Sequence, residues 1–259
     1  MILFVVPRNI QSPLVIVTVS QSWNSVIEEN YKSCKRNRLT FIWINHKISE
    51  DDKIVFSLQT DKTGLQILEV RCKASYMEVF LYKALLYLDL DNWCLLLASD
   101  ELISSNSIDL IRLELNALND KTTYGINRLW IKYFPQDFYF SLIPTSLESR
   151  CDYQYRLFKL KNLKEDRNIH SPGFKFKRKS KLNLEISMMH LIWEMESLEE
   201  RILKIKKYDA VIVGAGRGKL RYYLPEIFQD EEHSWTKLSD HDQVTVKKWY
   251  ITNHGQSHL

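Results

Sequence analysis

The sequence predicts a single α/β domain with a mostly parallel central sheet flanked by helices, and three observations carry that expectation. Short β-branched runs, Leu14 to Val19 and Leu39 to Asn45, alternate with a helical stretch between them. Trp93-Cys94-Leu95-Leu96-Leu97-Ala98 is a continuous apolar run of strand length, the pattern of a strand buried on both faces of a sheet. Helical periodicity stands on both sides of that run, the alternation of an α/β fold. The 259 residues, 45% hydrophobic and 26% charged, suffice for a sizeable core and exclude a disordered or collagen-like chain. With 7 Gly and 6 Pro the chain is not loop-dominated, and 12% aromatic residues promise large core side chains.

Ile2 to Val6 opens the chain as a short strand, cut off by Pro7-Arg8. No basic segment precedes it, and no apolar run approaches the roughly 18 residues a membrane span needs. The expectation is a soluble, cytoplasmic protein, with peripheral membrane contact left open. Trp23 to Cys34 is the helix between the first two β-branched runs. Lys47 to Val70 carries a weak pattern, with acidic Glu50-Asp51-Asp52 and a turn at Asp61-Lys62-Thr63-Gly64, and reads as strand pieces and loops. Ser75-Tyr76-Met77-Glu78 has capping-box spacing, and Phe80, Ala84, Leu85 and Leu88 follow on one face, predicting a helix to about Leu88. After the Trp93 to Ala98 strand and the acidic Ser99-Asp100-Glu101, Ser104-Ser105-Asn106 supplies caps for a helix with Ile108, Ile111, Leu115 and Leu118 on one face.

Tyr124 to Phe140 and Asp152 to Phe158 read as strands, the second placing Asp152, Gln154 and Arg156 on one side. Ser197-Leu198-Glu199-Glu200 is a second capping box, opening a helix that carries Lys204, Lys206 and Lys207 in its last turns. No repeat or linker divides the chain, so residues 1–228 are taken as one domain and 229–259 as a polar, histidine-bearing tail, peripheral or frayed. Cys34, Cys72, Cys94 and Cys151 show no metal-ligand spacing and no disulfide framework, which fits a reducing compartment.

Asp100 and Glu101 stand where a buried strand emerges, the end at which open α/β sheets bind ligands. Carboxylates there can hold a hard divalent ion that bridges phosphate oxygens. They can equally be a solvated strand end or first-turn acids of the next helix. Asp152 is a carboxylate suited to general-base work or a turn acid ahead of a strand. Gln154 and Arg156 can orient sugar hydroxyls or phosphate, or Arg156 can bridge to Asp152 or Glu101 as structure.

The segment Trp93 to Leu102 resembles the W-x-L-x-L-D-A-D-E-x strand of family 2 glycosyltransferases, which have the GT-A nucleotide-sugar fold. Further pieces follow in that family's order. Tyr124-Gly125-Ile126 with Arg128 is similar to the strand after the helix, and Asp152-Tyr153-Gln154-Tyr155-Arg156-Leu157-Phe158-Lys159 to the D-x-Q-x-R-L-F-R/K element. Ile169-His170 stands where such sequences carry a V-H pair. Met188-Met189-His190-Leu191, Ser197 to Glu200, Lys207-Tyr208 and Tyr222-Tyr223-Leu224-Pro225-Glu226 resemble the closing segments. The resemblance covers Ser75 to Phe228. It implies transfer of a sugar from a nucleotide-diphosphate sugar donor to a glycan or other hydroxyl acceptor, assisted by Mn²⁺ or Mg²⁺. By the same resemblance Asp100 and His190 are metal contacts, Asp100, Glu101, Gln154 and Arg156 serve the donor, and Asp152 is the catalytic base. The first Asp of D-x-D falls on Ala98, which has no oxygen for a metal, and no D-x-S-x-D loop is recognisable apart from Asp51-Asp52.

Two other segments compete. Val211 to Lys219 contains Gly214, Gly216 and Gly218 after an apolar run but fails both G-x-G-x-x-G and the P-loop, leaving a connection, or a loop that closes on diphosphate with Arg217, Lys219 and Arg221. Phe174 to Lys181 alternates basic and aromatic residues, which suits single-stranded nucleic acid or an ordinary edge strand. A net charge of +4 from 36 basic and 32 acidic residues favours the edge strand and disfavours nucleic acid. A catalytically inactive GT-A-like protein that binds carbohydrate or a partner is the remaining rival to the transferase.

Overall fold

A computed structural model describes residues 12–50, 53–73, 77–134, 137–141, 152–166, 174–211, 214, 216, 220–224 and 235–254. The chain begins with strand β1 (Leu14–Ser20), helix α1 (Ser25–Arg36) and strand β2 (Thr40–Ile48). Asn24 starts α1 by accepting from the Ile27 N–H at 2.9 Å, and its amide donates to the Ser99 carbonyl at 3.0 Å. Strands β3 (Val55–Thr60) and β4 (Gln66–Cys72) pair as a hairpin in the segment that reads from sequence as strand pieces and loops. Asp61 Oδ1 closes its turn by accepting from the N–H groups of Thr63 and Leu65, and Gly64 takes the left-handed φ of +87° that a side chain resists. Helix α2 (Leu81–Leu88) starts after a single 3₁₀ turn, later than the Ser75 capping spacing predicts. Phe80 at that junction is fully buried with its ring 4.3 Å from His46, a tertiary constraint that local spacing does not carry.

Strand β5 (Trp93–Ala98) is followed by β6 (Glu101–Leu102), helix α3 (Ser105–Glu114) and strands β7 (Thr123–Phe134), β8 (Asp137–Ser141) and β9 (Tyr153–Lys159). Short strands β10 (Leu163–Glu165), β11 (Phe174–Phe176), β12 (Lys179–Lys181) and β13 (Ser187–His190) come next. Helices α4 (Ile192–Met195), α5 (Leu198–Val211) and α6 (Leu220–Tyr223), strand β14 (Thr236–Lys237) and helix α7 (Asp240–His254) complete the described chain. The fold is mixed α/β with a mostly parallel central sheet flanked by helices, as the sequence predicts. The expected first strand, Ile2 to Val6, lies outside the described residues, as do Asp51-Asp52, Cys151 and His170.

Backbone contacts gather the described residues into two compact units. The first draws on Met1–Ser99, Ser105–Ile126 and Gln154–Ile186. Its strands run β9-β5-β1-β2-β4-β3, parallel from β5 to β4 and antiparallel at β9 and β3. Strand β5 is buried from Trp93 to Leu97, which is why it reads as an unbroken apolar run. Val15, Val17, Ile44, Leu85 and Leu96 share a core with Phe158 and Phe174. Phe174 is buried 5.4 Å from the Phe158 ring, so the aromatic side of the basic segment packs inward while Lys179 to Lys181 stay exposed. The segment is thus two short strands, β11 paired with β10 and β12 paired with β7, where the sequence suggested one edge strand.

The second unit draws on Asp100–Ser104, Asn127–Tyr153 and Ser187–Leu259. Here β13 lies parallel to β7 and antiparallel to β6, and β8 pairs antiparallel with both β7 and β14. The second capping box forms: the Ser197 N–H donates to Glu200 at 2.7 Å, and the Glu200 N–H donates to Ser197 Oγ at 3.3 Å. The tail expected to be peripheral instead contains α7, which buries Val246 and Trp249. Its Gln243 amide donates to the Phe138 carbonyl at 2.6 Å and accepts the Phe138 N–H at 3.2 Å, standing in for a neighbouring strand. Sequence reading missed this because the polar residues that hold the helix also make it look solvated. Among the described residues no helix is long and apolar enough to cross a membrane.

Candidate functional site

Arg128 and Trp130 are two residues apart on β7 and therefore project to the same face. Asp152 comes to them just before β9. Arg128 Nε donates to Asp152 Oδ2 at 2.7 Å, Trp130 Nε1 donates to the same oxygen at 2.9 Å, and the Arg128 backbone N–H donates to the Asp152 carbonyl at 2.8 Å. Arg128 Nη1 also lies 3.7 Å from Glu101 Oε1, and its guanidinium sits 4.7 Å from the Trp130 ring centre. Glu101 and Asp152 have no solvent exposure. Burial works against the Arg128 charge, but the carboxylates of Asp152 and Glu101 outweigh it and hold its pKa above the ordinary arginine value.

The register of β13 brings in the histidine, because His190 is opposite Trp130 on β7 and opposite Glu101 on β6. Its ring centre is 4.2 Å from that of Trp130, and Nε2 is 3.5 Å from Asp100 Oδ2. Asp100 is tied back through its carbonyl, which accepts the Leu191 N–H at 2.9 Å. From α5, Lys204 Nζ reaches to 2.9 Å from Glu196 Oε1 and 3.9 Å from Asp100 Oδ2, and lies 5.4 Å from the Tyr223 ring centre. Burial opposes the Lys204 charge too, yet Asp100 and Glu196 raise its pKa above the usual lysine range. Burial also pushes the Tyr223 phenol up, helped by Tyr208, so it stays neutral.

Exposure divides the cluster. Glu101 and Asp152 are sealed around Arg128, whereas the Asp100 and Lys204 side chains are 17% and 34% exposed. The first group fixes a guanidinium in place, and the second presents a carboxylate and an ammonium to an incoming ligand. Such a set can bind an anionic group and move a proton beside it.

Four of the residues singled out from sequence, Asp100, Glu101, Asp152 and His190, therefore meet in one unit. Gln154 and Arg156 follow on β9 and belong to the other unit, both half-buried. The arginine against Asp152 and Glu101 is Arg128, which the sequence offered only as part of a resemblance. Its signal was the period-2 pairing with Trp130. Lys204 had a readable signal as well: Arg201, Lys204 and Tyr208 recur at helical spacing on α5 after the Ser197 cap. Asp152, expected as a base, has one oxygen committed to two donors, an arrangement that suits holding Arg128.

The donor set does not fit a resident divalent ion. Asp100 and His190 bring two ligand atoms together, Ala98 offers none, and Glu101 is turned to Arg128. Among the described residues no group of three or more His, Cys, Asp or Glu side chains is arranged to hold a metal. In the glycine-bearing loop, the Gly216 N–H donates to Asp209 at 2.6 Å, while Arg217 and Lys219 lie outside the described residues.

No family model matches the chain, and no curated protein matches it. Among solved structures, one similar chain is a Bacillus anthracis protein assigned as a glucose-1-phosphate thymidylyltransferase and solved with sucrose. The match has 11% identity and a TM-score of 0.33, and covers 92% of this chain and 94% of that one.

Proposed function

We propose that this chain is a glycosyltransferase that moves a sugar from a nucleotide-diphosphate sugar to a hydroxyl acceptor. One observation supports the reading above the others: Asp100 and His190, far apart in sequence, come within 3.5 Å of each other beside the Asp152–Arg128–Glu101 group. Asp100, His190, Glu101 and Asp152 are positions on which the resemblance to family 2 glycosyltransferases puts functional residues.

The chemistry follows from the charges. As the glycosidic bond to the leaving diphosphate breaks, negative charge grows on the phosphate oxygens, and fixed cations stabilise that state more than the ground state. Arg128 is such a cation, kept from rotating away by Asp152, Trp130 and Glu101. An acceptor hydroxyl must lose its proton as it attacks. In this reading Asp100, the more exposed carboxylate with His190 at its side, takes that proton, and Asp152 positions Arg128.

The experiment is a donor screen: purified protein with UDP-, GDP-, CDP- and dTDP-sugars, following release of the nucleoside diphosphate with mixed glycan acceptors. Consumption of one donor, lost in Asp100→Asn with folding intact, supports the reading. A rival, a GT-A-like binding protein without catalysis, is favoured by Ala98 alone, and it requires that no donor be turned over.

A further inference from the structure

We propose that Lys204 acts with Arg128 as a built-in replacement for a divalent metal ion, so that this site binds a nucleoside diphosphate without metal; the proposal rests on the glycosyl-transfer reading. An ammonium stands beside Asp100 and a second carboxylate, Glu196. Lys204 Nζ lies 2.9 Å from Glu196 Oε1 and 3.9 Å from Asp100 Oδ2. Ala98 fits the same picture, since the position that would complete a pair of metal-binding aspartates has no side-chain oxygen, and His190 gives Asp100 a neighbour at 3.5 Å in its stead.

Three features make Lys204 suitable for a phosphate. It approaches on a helix whose first turn is pinned by the Ser197–Glu200 box, so its base is fixed while its end is a third exposed. Its contact with Asp100 is long, whereas that with Glu196 is short, so the ammonium can turn to a diphosphate oxygen while Glu196 retains it. The Tyr223 ring beneath it, 5.4 Å away, stabilises the charge without offering a competing carboxylate. Arg128 and Lys204 bring a guanidinium and an ammonium from two elements, each held by two carboxylates, Asp152 and Glu101 on Arg128 and Glu196 and Asp100 on Lys204.

The test is calorimetric binding of UDP, GDP, CDP and dTDP to the full chain, each with Mn²⁺ and with EDTA, on wild type, Lys204→Gln and Lys204→Arg. Thermal melts establish that each variant is folded. The expected result is that one nucleotide binds with a Kd changed by less than about twofold on chelation. Lys204→Gln should weaken it about tenfold or more, the scale of one lost charge-assisted contact, and Lys204→Arg should restore most of it. Binding that needs Mn²⁺ overturns the metal replacement while leaving glycosyl transfer standing. Chelator-resistant binding that Lys204→Gln does not weaken removes Lys204 from the role. Failure of every nucleotide with and without Mn²⁺ overturns the glycosyl-transfer reading, and this proposal with it.

Discussion

Asp152 holds Arg128 twice, its side-chain carboxylate accepting Nε–H at 2.7 Å and its main-chain carbonyl accepting the Arg128 N–H at 2.8 Å. A residue of β7 and the residue that leads into β9 are thus locked together in both backbone and charge. A buried ion pair contributes little net stability, because both partners lose water, but removing one leaves the other uncompensated.

Asp152→Asn should therefore destabilise the protein by about 3 to 5 kcal/mol in urea unfolding, and the double variant Arg128→Met/Asp152→Asn should cost less than the sum of the two single changes. If Asp152 were instead the proton acceptor of the reaction, Asp152→Asn would abolish turnover with unfolding little changed. The same variant thus separates a holding role from a catalytic one.

Gln243 makes a prediction about the end of the chain. Its amide satisfies both the N–H and the carbonyl of Phe138, so Gln243→Leu strands two backbone groups in a buried setting. A loss of about 1 to 3 kcal/mol per stranded group is expected. Unfolding of this variant coincident with wild type would mean that α7 is dispensable, as its polar sequence suggested.

The alkaline side of a binding profile tests Lys204. Its folded-state pKa lies above the ordinary lysine value, so whatever it contributes is fully present at lower pH and is lost only as pH rises through the raised value. Nucleotide binding that depends on Lys204 should accordingly stay flat between about pH 7 and pH 9. A decline centred within that interval would assign the binding to a different group.

Much of this architecture was legible because it is written in local periodicity. The buried run Trp93 to Ala98 and the Ser197 capping box each specify an element without help from distant residues. The start of α2 was not legible, since burial of Phe80 against His46 decides it. Nor was the hairpin of β3 and β4, because β3 is an edge strand with mostly exposed residues and so lacks a hydrophobic signal. At the site, Asp100, Glu101 and Asp152 were visible as carboxylates at strand ends, and His190 only through the family resemblance. Their grouping depends on the pairing of β13 with both β6 and β7, which no spacing along the chain reveals. Arg128 and Lys204 were passed over because an isolated basic residue on a strand or helix most often faces solvent.

The most direct test of the central claim is the rate of nucleoside diphosphate release from each sugar donor, measured on wild type beside Asp100→Asn and His190→Ala. One preferred donor base is expected, with a loss of at least about a hundredfold in Asp100→Asn while the fold stays intact, the lower range expected for removing a general base. A protein that releases diphosphate from none of the donors, or that does so equally well without Asp100 and His190, contradicts it.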